Sequence, residues 1–565
     1  MTEIYLLDYG AGNVRSVVNA VSQLGYTLKE VQKPEDILKA DKILFPGVGA
    51  FGQAMEALER KGYTEALKAF VKSGKPFMGI CVGMQVLFEG SDESPETPGL
   101  GIIKGRVQRF TNTDKSVPHM GWNRLLIAKE QSLIQHTAPH PKSLAQQQGI
   151  DHTQVYYFVH SYAVPYSPAQ QQWTLTVTQY GNEQFISSVQ LGNMFCTQFH
   201  PEKSGPAGLA LFRAFLERPV TTLPLGEHPP VGSVVYRDIP LSPRDYFTTR
   251  VVACLDVRAN DRGDLVVTKG DQYDVRDRET ADGDVRNLGK PVELAERYYR
   301  EGADEITFLN ITSFRNIPMQ DLPMLKVLQE ASRTIFVPLT VGGGIRNITD
   351  PDGRSYSALE VAGEYFRSGA DKISIGSDAV YAAEAYWQNQ GRKLGNTAIE
   401  SIAKAYGAQA VVISVDPRRV YVADPSDTLH HVLETKFPGP NGERYCWYQC
   451  TVKGGREGRD IDVHQLVTAC EDLGAGEILL NCMDRDGTNS GYDLELIADV
   501  KRAITIPVIA SSGAGRVEHF SEVVRKTGVE ATLAAGIFHR KEVPISQVKD
   551  HLDQSGFPIR HMVPL

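Results

Sequence analysis

Pro76–Phe88 reads PFMGICVGMQVLF, and within it a short apolar run (Pro76 to Ile80) meets a helix-period one (Met84 to Phe88) at Gly79-Ile80-Cys81-Val82-Gly83. A strand that turns at once into a helix holds its corner residue in strained backbone geometry, and flanking glycines let other segments approach closely. The corner residue here is a thiol. At a helix N-terminus, where aligned peptide dipoles favour thiolate over thiol, Cys81 is a candidate nucleophile. Taken alone, a buried cysteine packing as a small hydrophobe is the simpler reading.

A second motif reverses that preference. Gln198-Phe199-His200-Pro201-Glu202-Lys203 follows the strand-like run Asn193 to Thr197. A cysteine nucleophile needs a base within hydrogen-bond reach and a third group that holds the base in the useful tautomer, and His200 and Glu202 fit those roles. A third segment, Phe45-Pro46-Gly47-Val48-Gly49-Ala50, ends another apolar run in a glycine-rich turn whose backbone N–H groups suit a developing oxyanion.

Together these residues resemble the class I, triad-type glutamine amidotransferases, which hydrolyse the side-chain amide of glutamine and release ammonia. The resemblance implies Cys81 as nucleophile forming a glutamyl thioester and His200 as general base and acid. It makes Glu202 the orienting group and Gly47, Val48 and Gly49 the oxyanion turn. It also places Gln85, one turn into the following helix, where such enzymes contact the substrate glutamine.

The bulk properties set bounds on the rest. At 565 residues the chain suggests two to four domains on a soft prior of roughly 150 residues each, and two fits best if one is a large α/β barrel. With 42% hydrophobic and 22% charged residues the composition is that of soluble globular protein. A net charge of −9 with no long basic run argues against a nucleic-acid partner. Small-molecule substrates are expected. The seven cysteines (Cys81, Cys196, Cys254, Cys446, Cys450, Cys470, Cys482) contain no C-x-x-C pair, which points to a reducing compartment and no zinc. Cys446 and Cys450, in the aromatic stretch Tyr445 to Cys450, read as structural. The N-terminus enters a strand pattern directly, without a basic leader, and no apolar run approaches the roughly 18 residues that cross a bilayer. A cytoplasmic protein with no membrane partner is expected.

Residues 1–216 alternate apolar runs (Ile4 to Leu7, Lys42 to Phe45, Pro76 to Ile80) with helix-period stretches (Gly12 to Leu24, Ala54 to Arg60, Thr64 to Ser73). That pattern predicts a largely parallel sheet flanked by helices. The amidotransferase resemblance makes it the flavodoxin-like mixed sheet of that class. Within it, His136 to His152 is polar and Gln-rich; its histidines lack carboxylate or Cys partners at ligand spacing, and a solvated loop is expected. Pro118 to Asn123 (PHMGWN) and Tyr156 to Tyr162 (YYFVHSY) resemble segments that these amidotransferases use near the glutaminase site or its partner interface, and they suit core aromatics equally. Residues 217–249 form the connector. Its prolines (Pro219, Pro224, Pro229, Pro230, Pro240, Pro243) and lack of period predict a semi-rigid linker.

Residues 250–565 carry eight strand candidates: Val251 to Asp256, Glu305 to Ile311, Phe336 to Val341, Lys372 to Gly376, Ala410 to Asp416, Glu477 to Cys482, Ile506 to Ala510 and Ala531 to Ala535. Helical stretches separate them, which is the arithmetic of a (β/α)8 barrel with its active site at the C-terminal strand ends; a doubly wound open sheet is the alternative. This half also echoes itself. VVACLD (251–256) matches VVISVD (411–416), GADE (302–305) matches GAGE (474–477), and PLTVGGG (338–344) matches PVIASSG (507–513). A duplicated four-unit half places strands one and five opposite each other. Asp256 and Asp416 then become paired carboxylates across one mouth, able to divide the roles of base and acid if their surroundings push their pKa values apart. Glycine-rich turns recur in both halves: Gly343 and Gly344 with Gly376 and Ser377, then Ser512, Gly513 and Gly515 with Ala535 and Gly536. Such loops offer bare N–H groups to phosphate, and two opposed sets predict a substrate with a phosphate at each end. Tight βα turns alone would use the same glycines.

Over essentially the whole chain the residues resemble the single-chain imidazole glycerol phosphate synthases, through ACLDV, VVTKGDQYDVR, TVGGGI, ADKISIGSDAV, MDRDGTNSGYD and SSGAG. The resemblance implies a substrate, phosphoribulosyl-formimino-aminoimidazole-carboxamide ribonucleotide, consumed together with glutamine and converted to imidazole glycerol phosphate, aminoimidazole-carboxamide ribonucleotide and glutamate. It makes Asp256 and Asp416 the cyclase acid and base, in unassigned order. It places Lys269 on a loop closing over substrate and Gly487 (in Asp486-Gly487-Thr488) at the site rim. Arg250, Glu305, Lys372 and Glu477 match the family's ring of charges at an ammonia entrance, with Asp371 and Lys203 pairing at the interface. No cofactor and no metal is implied, and both activities on one chain imply a monomer. One departure is Asn310, where bacterial-type barrels carry Asp; it receives no proton-transfer role. A pyridoxal-phosphate-forming glutamine-dependent synthase is the competing enzyme reading, and it requires a Schiff-base lysine within a strand. A scaffold with a dead amidotransferase half is the non-enzyme reading, and the intact Cys81, His200, Glu202 set opposes it.

Overall fold

The structure is a computed structural model, and it describes residues 2–10, 12–131, 143–223, 234–243, 245–259, 265–268, 290–311, 323–350 and 352–561. The sequence expectations for Lys269 and for residues 136–142 lie outside these. The chain divides into two compact units, one built on Met1–Thr248 and the other on Thr249–Ala331 with Pro338–Ile559.

In the first unit, five parallel strands run in the order Lys29–Glu30, Ile4–Leu6, Lys42–Gly47, Phe77–Cys81, Met194–Thr197. Every residue of Phe77–Cys81 is buried, as expected of a parallel strand covered on both faces. Three antiparallel strands, Glu183–Leu191, Thr174–Tyr180 and Leu126–Ile127, extend the sheet and make it mixed. The apolar pattern that predicts a largely parallel sheet misses these three, because only the two-residue Gly181-Asn182 connection, which parallel strands cannot use, marks the reversal. Part of the proline-rich connector is itself a strand: Val234–Tyr236 pairs with Lys129–Gln131, and further on both amide atoms of Gln179 grip the Ser242 backbone.

The second unit is a closed barrel of eight parallel strands, as the duplicated pattern predicts. Its strands are Arg250–Ala259, Glu305–Asn310, Leu339–Gly342, Lys372–Ile375, Val411–Val415, Glu477–Asn481, Val508–Ser511 and Ala531–Ala534, and the last pairs back onto the first. Inward-facing Val252, Val412, Leu479, Ile509 and Leu533 share one cluster, so strands one and five meet across the interior. Between strands five and six the chain adds a four-stranded antiparallel sheet of Pro417–Val422, Val432–Glu434, Tyr445–Val452 and Glu457–Asp462. Cys446 and Cys450 lie on one face of its central strand as buried free thiols. Among the described residues, no helix is long and apolar enough to cross a membrane.

Candidate active sites

Three adjacent strands of the first unit deliver the three sequence motifs to one sheet edge. Gly47 lies opposite Cys81 in register and Thr197 opposite Ile80, so the glycine turn, the thiol and the His200 segment leave the sheet side by side. Cys81 sits at φ +53°, ψ −109°, a conformation that L side chains rarely adopt and that stores about 1–3 kcal/mol. The glycines around it are required by space. A Cβ on Gly83 would lie 2.0 Å from the Phe45 carbonyl oxygen, and one on Gly47 2.6 Å from the Gly83 nitrogen.

The helix expected over Met84–Phe88 is instead the single turn Val82–Gln85. Beyond it the Leu87 and Phe88 N–H groups bond the i−3 carbonyls of Met84 and Gln85, which tightens the turn, and the Glu89 N–H leaves for the Gly105 carbonyl. The helix dipole is correspondingly small, which leaves His200 as the candidate for activating the thiol. The His200 Nδ1 bonds Glu202 Oε1 at 2.7 Å, and both side chains are buried. Burial disfavours the imidazolium, but Glu202 and Cys81 together outweigh it and hold the His200 pKa well above that of an ordinary histidine. Nε2, buried and without a conventional hydrogen bond, is left for proton exchange with Sγ.

Two residues with no role in the sequence reading complete this site. The Tyr9 hydroxyl donates to the Val48 carbonyl at 2.7 Å, which fixes the peptide plane whose other face carries the Gly49 N–H. Gln198, inside the histidine motif, points its Nε2 at Cys81 Sγ at 3.4 Å. The Gln85 Nε2 hydrogens are committed to Tyr162 O (2.9 Å) and Gln198 Oε1 (3.0 Å), so Oε1 is the atom of Gln85 open to a substrate.

At the barrel mouth, Asp256 and Asp416 line one cavity of about 520 Å3. Of the predicted phosphate loops, Gly343, Gly344, Gly376, Ser377, Ser512 and Ala535 line it. Gly487, Gly513, Gly515 and Gly536 are not among its lining residues, although chain neighbours of three of them, Asp486, Thr488, Ser512 and Ala535, are. Gly513 and Gly515 serve close packing, since a Cβ on either would come within 2.5 Å of a carbonyl oxygen of the loop after strand six. Gly376 caps the helix Ser377–Gln388, whose first turn, Ser377 and Asp378, borders the cavity. Arg346 and Arg418 reach the same space; sequence pattern gave no signal for either beyond its nearness to a glycine turn and to Asp416. Burial raises the Asp416 pKa, partly opposed by the hydrogen bond it accepts from Asn481 Nδ2 at 2.9 Å.

The four predicted gate residues close into an alternating ring at the opposite end of the barrel. Arg250 pairs with Glu305 (2.7 Å) and Glu477, and Lys372 with Glu305 (2.7 Å) and Glu477 (2.5 Å), all fully buried. Burial opposes ionising Glu305, yet Lys372 and Arg250 prevail and lower its pKa. Each charge faces two of opposite sign, which is what makes such burial tolerable. Asp371 accepts from the Leu339 N–H at 2.8 Å, and Lys203 is buried in the turn Pro201–Lys203.

Comparison with known proteins agrees with both halves of this geometry. A family model described as "Glutamine amidotransferase class-I" matches residues 5–218, and one described as "Histidine biosynthesis protein" matches residues 250–544. The chain is 55% identical over 556 residues to imidazole glycerol phosphate synthase hisHF of Schizosaccharomyces pombe, covering 97% of this chain and 98% of that one. It is 54% identical over 570 residues to the Emericella nidulans protein of the same name, covering all of both. Over 313 residues, 55% of this chain, it is 39% identical to imidazole glycerol phosphate synthase subunit HisF of Haloarcula marismortui, of which it covers 98%.

Proposed function

The chain belongs to the imidazole glycerol phosphate synthases in their single-chain form, and from that premise we propose how its two units divide one reaction. In the first, the Cys81 thiolate attacks the side-chain carbonyl of glutamine and the Gly47–Gly49 turn receives the developing oxyanion. His200 protonates the departing ammonia, then activates the water that releases glutamate from the thioester. In the second, the cavity between Asp256 and Asp416 holds phosphoribulosyl-formimino-aminoimidazole-carboxamide ribonucleotide by its two phosphates, at the glycine turns of the two barrel halves. Ammonia enters the barrel at the Arg250, Glu305, Lys372, Glu477 ring and adds to the substrate. Products are imidazole glycerol phosphate and aminoimidazole-carboxamide ribonucleotide, a step of histidine biosynthesis.

The observation that carries this reading is a complete nucleophile–base–orienter set and an opposed carboxylate pair on one chain. The pyridoxal-phosphate reading fails on its lysine. Among the described barrel strands the lysine is Lys372, locked between Glu305 and Glu477. Because one chain carries both units, no second subunit is required, and we take a cytoplasmic monomer as the working form. The test is isotopic. Glutamine labelled with nitrogen-15 in its side-chain amide, supplied with excess unlabelled ammonium at neutral pH, should place undiluted label in the imidazole ring. Dilution in proportion to bulk ammonium would sink internal transfer.

Between the two aspartates we assign Asp416 as the acid and Asp256 as the base, because burial raises the Asp416 pKa above that of an ordinary carboxylate. Asn481 donates to the charged form and so lowers the Asp416 pKa; Asn481→Leu removes that bond and raises it further. The acid then persists to higher pH, and the alkaline limb of the ammonia-dependent rate profile should move upward, by about half a unit to one unit. A downward move would reverse the assignment.

A further inference from the structure

Behind the nucleophile runs a chain of hydrogen bonds whose directions are all fixed by chemistry. The Tyr162 carbonyl can only accept, so His160 Nδ1, 2.9 Å away, carries a proton. His160 Nε2 is then the acceptor for His119 Nδ1–H at 3.2 Å, and His119 Nε2 accepts from Asn123 Nδ2 at 3.3 Å. Asn123 cannot flip, since its Nδ2 also donates to Gln179 O (2.9 Å) and its Oδ1 accepts from Arg124 N (2.8 Å). In the other direction, Tyr162 O and Gln198 Oε1 take the two hydrogens of Gln85 Nε2, which leaves Gln198 Nε2 as the group that must face Cys81 Sγ. Protonating either histidine would set two N–H groups against each other. Burial lowers both pKa values, that of His160 to about 3. His119 is wedged between the Phe158 and Tyr180 rings, so the pair has no room to reorient.

We propose that Gln198 is a catalytic residue of the glutaminase, its amide N–H stabilising the Cys81 thiolate, and that Gln85 and the His160–His119 pair are positioning residues that hold that amide's donor end toward the sulfur. The proposal rests on Cys81 as nucleophile and goes beyond the triad, adding to the Nε2–H of protonated His200 a second N–H that faces the ionised sulfur. An N–H aimed at sulfur favours thiolate over thiol. The other ionisable groups around Sγ are His200, with Glu202 behind it, and the buried Tyr9 hydroxyl, with Asp8 and Glu93 beyond.

The experiment uses the full chain and follows iodoacetamide alkylation of Cys81 against pH, located by mass spectrometry, beside kcat/KM for glutamine and a thermal melt. All seven thiols are buried, and burial raises the pKa values of the other six, whereas Cys81 has His200 beside it and is the preferred target. Gln198→Met, close in volume and without a donor, should raise the alkylation midpoint by about one pH unit and cut kcat/KM roughly ten- to a hundredfold. His160→Asn keeps an N–H near the Nδ1 position and should hold the wild-type midpoint, whereas His160→Leu should move it the way Gln198→Met does. A purely structural role would change the melt and leave the midpoint alone. Should His160→Leu not accumulate, the other two decide: an unmoved midpoint in Gln198→Met, or a moved one in His160→Asn, overturns the proposal. Label landing on another cysteine while glutaminase activity falls would instead overturn Cys81 as nucleophile.

Discussion

Cys81→Ala removes turnover with glutamine, by about 10,000-fold or more, and spares turnover with ammonium salts at alkaline pH. The size of the first effect follows from covalent catalysis: without sulfur there is no thioester, and His200 has nothing to deprotonate at the point where the substrate carbonyl sits. The second follows from where the other chemistry lies, since neither Asp256 nor Asp416 belongs to the unit that holds the thiol. Alkaline pH matters because only unprotonated ammonia adds to carbon. The substitution is gentle on the fold. Alanine meets the same positive-φ strain that cysteine already bears, and the crowding around the elbow falls on Gly47, Gly79 and Gly83 rather than on residue 81. Product formation from imidazole precursor is measured with each nitrogen source in turn. Intact glutamine-dependent formation would remove Cys81 from the mechanism, and loss of both reactions would mean that the two units are not chemically separable.

How much of this was legible in the chain depends on whether a feature is local. The elbow at Gly79–Gly83, the His200–Glu202 pair two residues apart and the repeated VVACLD and VVISVD strands each announce themselves within a few residues. Barrel closure followed from the repeat, because two copies of a four-unit half leave strand eight beside strand one. Features made by segments distant in sequence were not legible. Tyr9 bonds Val48 across 39 residues and Gln198 reaches Cys81 across 117, and no spacing rule connects them. The helix after Cys81 is shorter than its period suggests for a similar reason: the Glu89 N–H that would prolong it bonds the Gly105 carbonyl, 16 residues on. The sheet between strands five and six received no expectation: Pro417–Val422 and Tyr445–Val452 flank a Pro-, Asp- and Gly-rich run, Ala423 to Gly442, whose own strand, Val432–Glu434, is only three residues long. Gly513 and Gly515 read as phosphate ligands, yet their crowding against Gly491 and Asn489 shows that glycine-rich turns also serve close packing.

Replacing either cyclase carboxylate should stop product formation whichever nitrogen source is used. Asp256→Asn and Asp416→Asn each take away one partner in proton transfer, a loss of about 100- to 10,000-fold, and the factor should be the same with glutamine and with ammonium. Equality is the discriminating feature. Both nitrogen supplies converge on the one cavity that these carboxylates line, so a residue acting in the chemistry scales both rates alike, whereas a residue acting in delivery slows only the glutamine-fed reaction. The pH profiles of the residual activity then separate the two roles. A base must be deprotonated, so it produces the acidic limb, and Asp256→Asn should flatten that limb. An acid must be protonated, so it produces the alkaline limb, and Asp416→Asn should flatten that one, consistent with the raised pKa that burial gives Asp416. If Asp416→Asn impaired only glutamine-fed turnover, its place would be in passage of ammonia rather than in ring closure. If the limbs vanished in the opposite order, the acid and base would have to be exchanged.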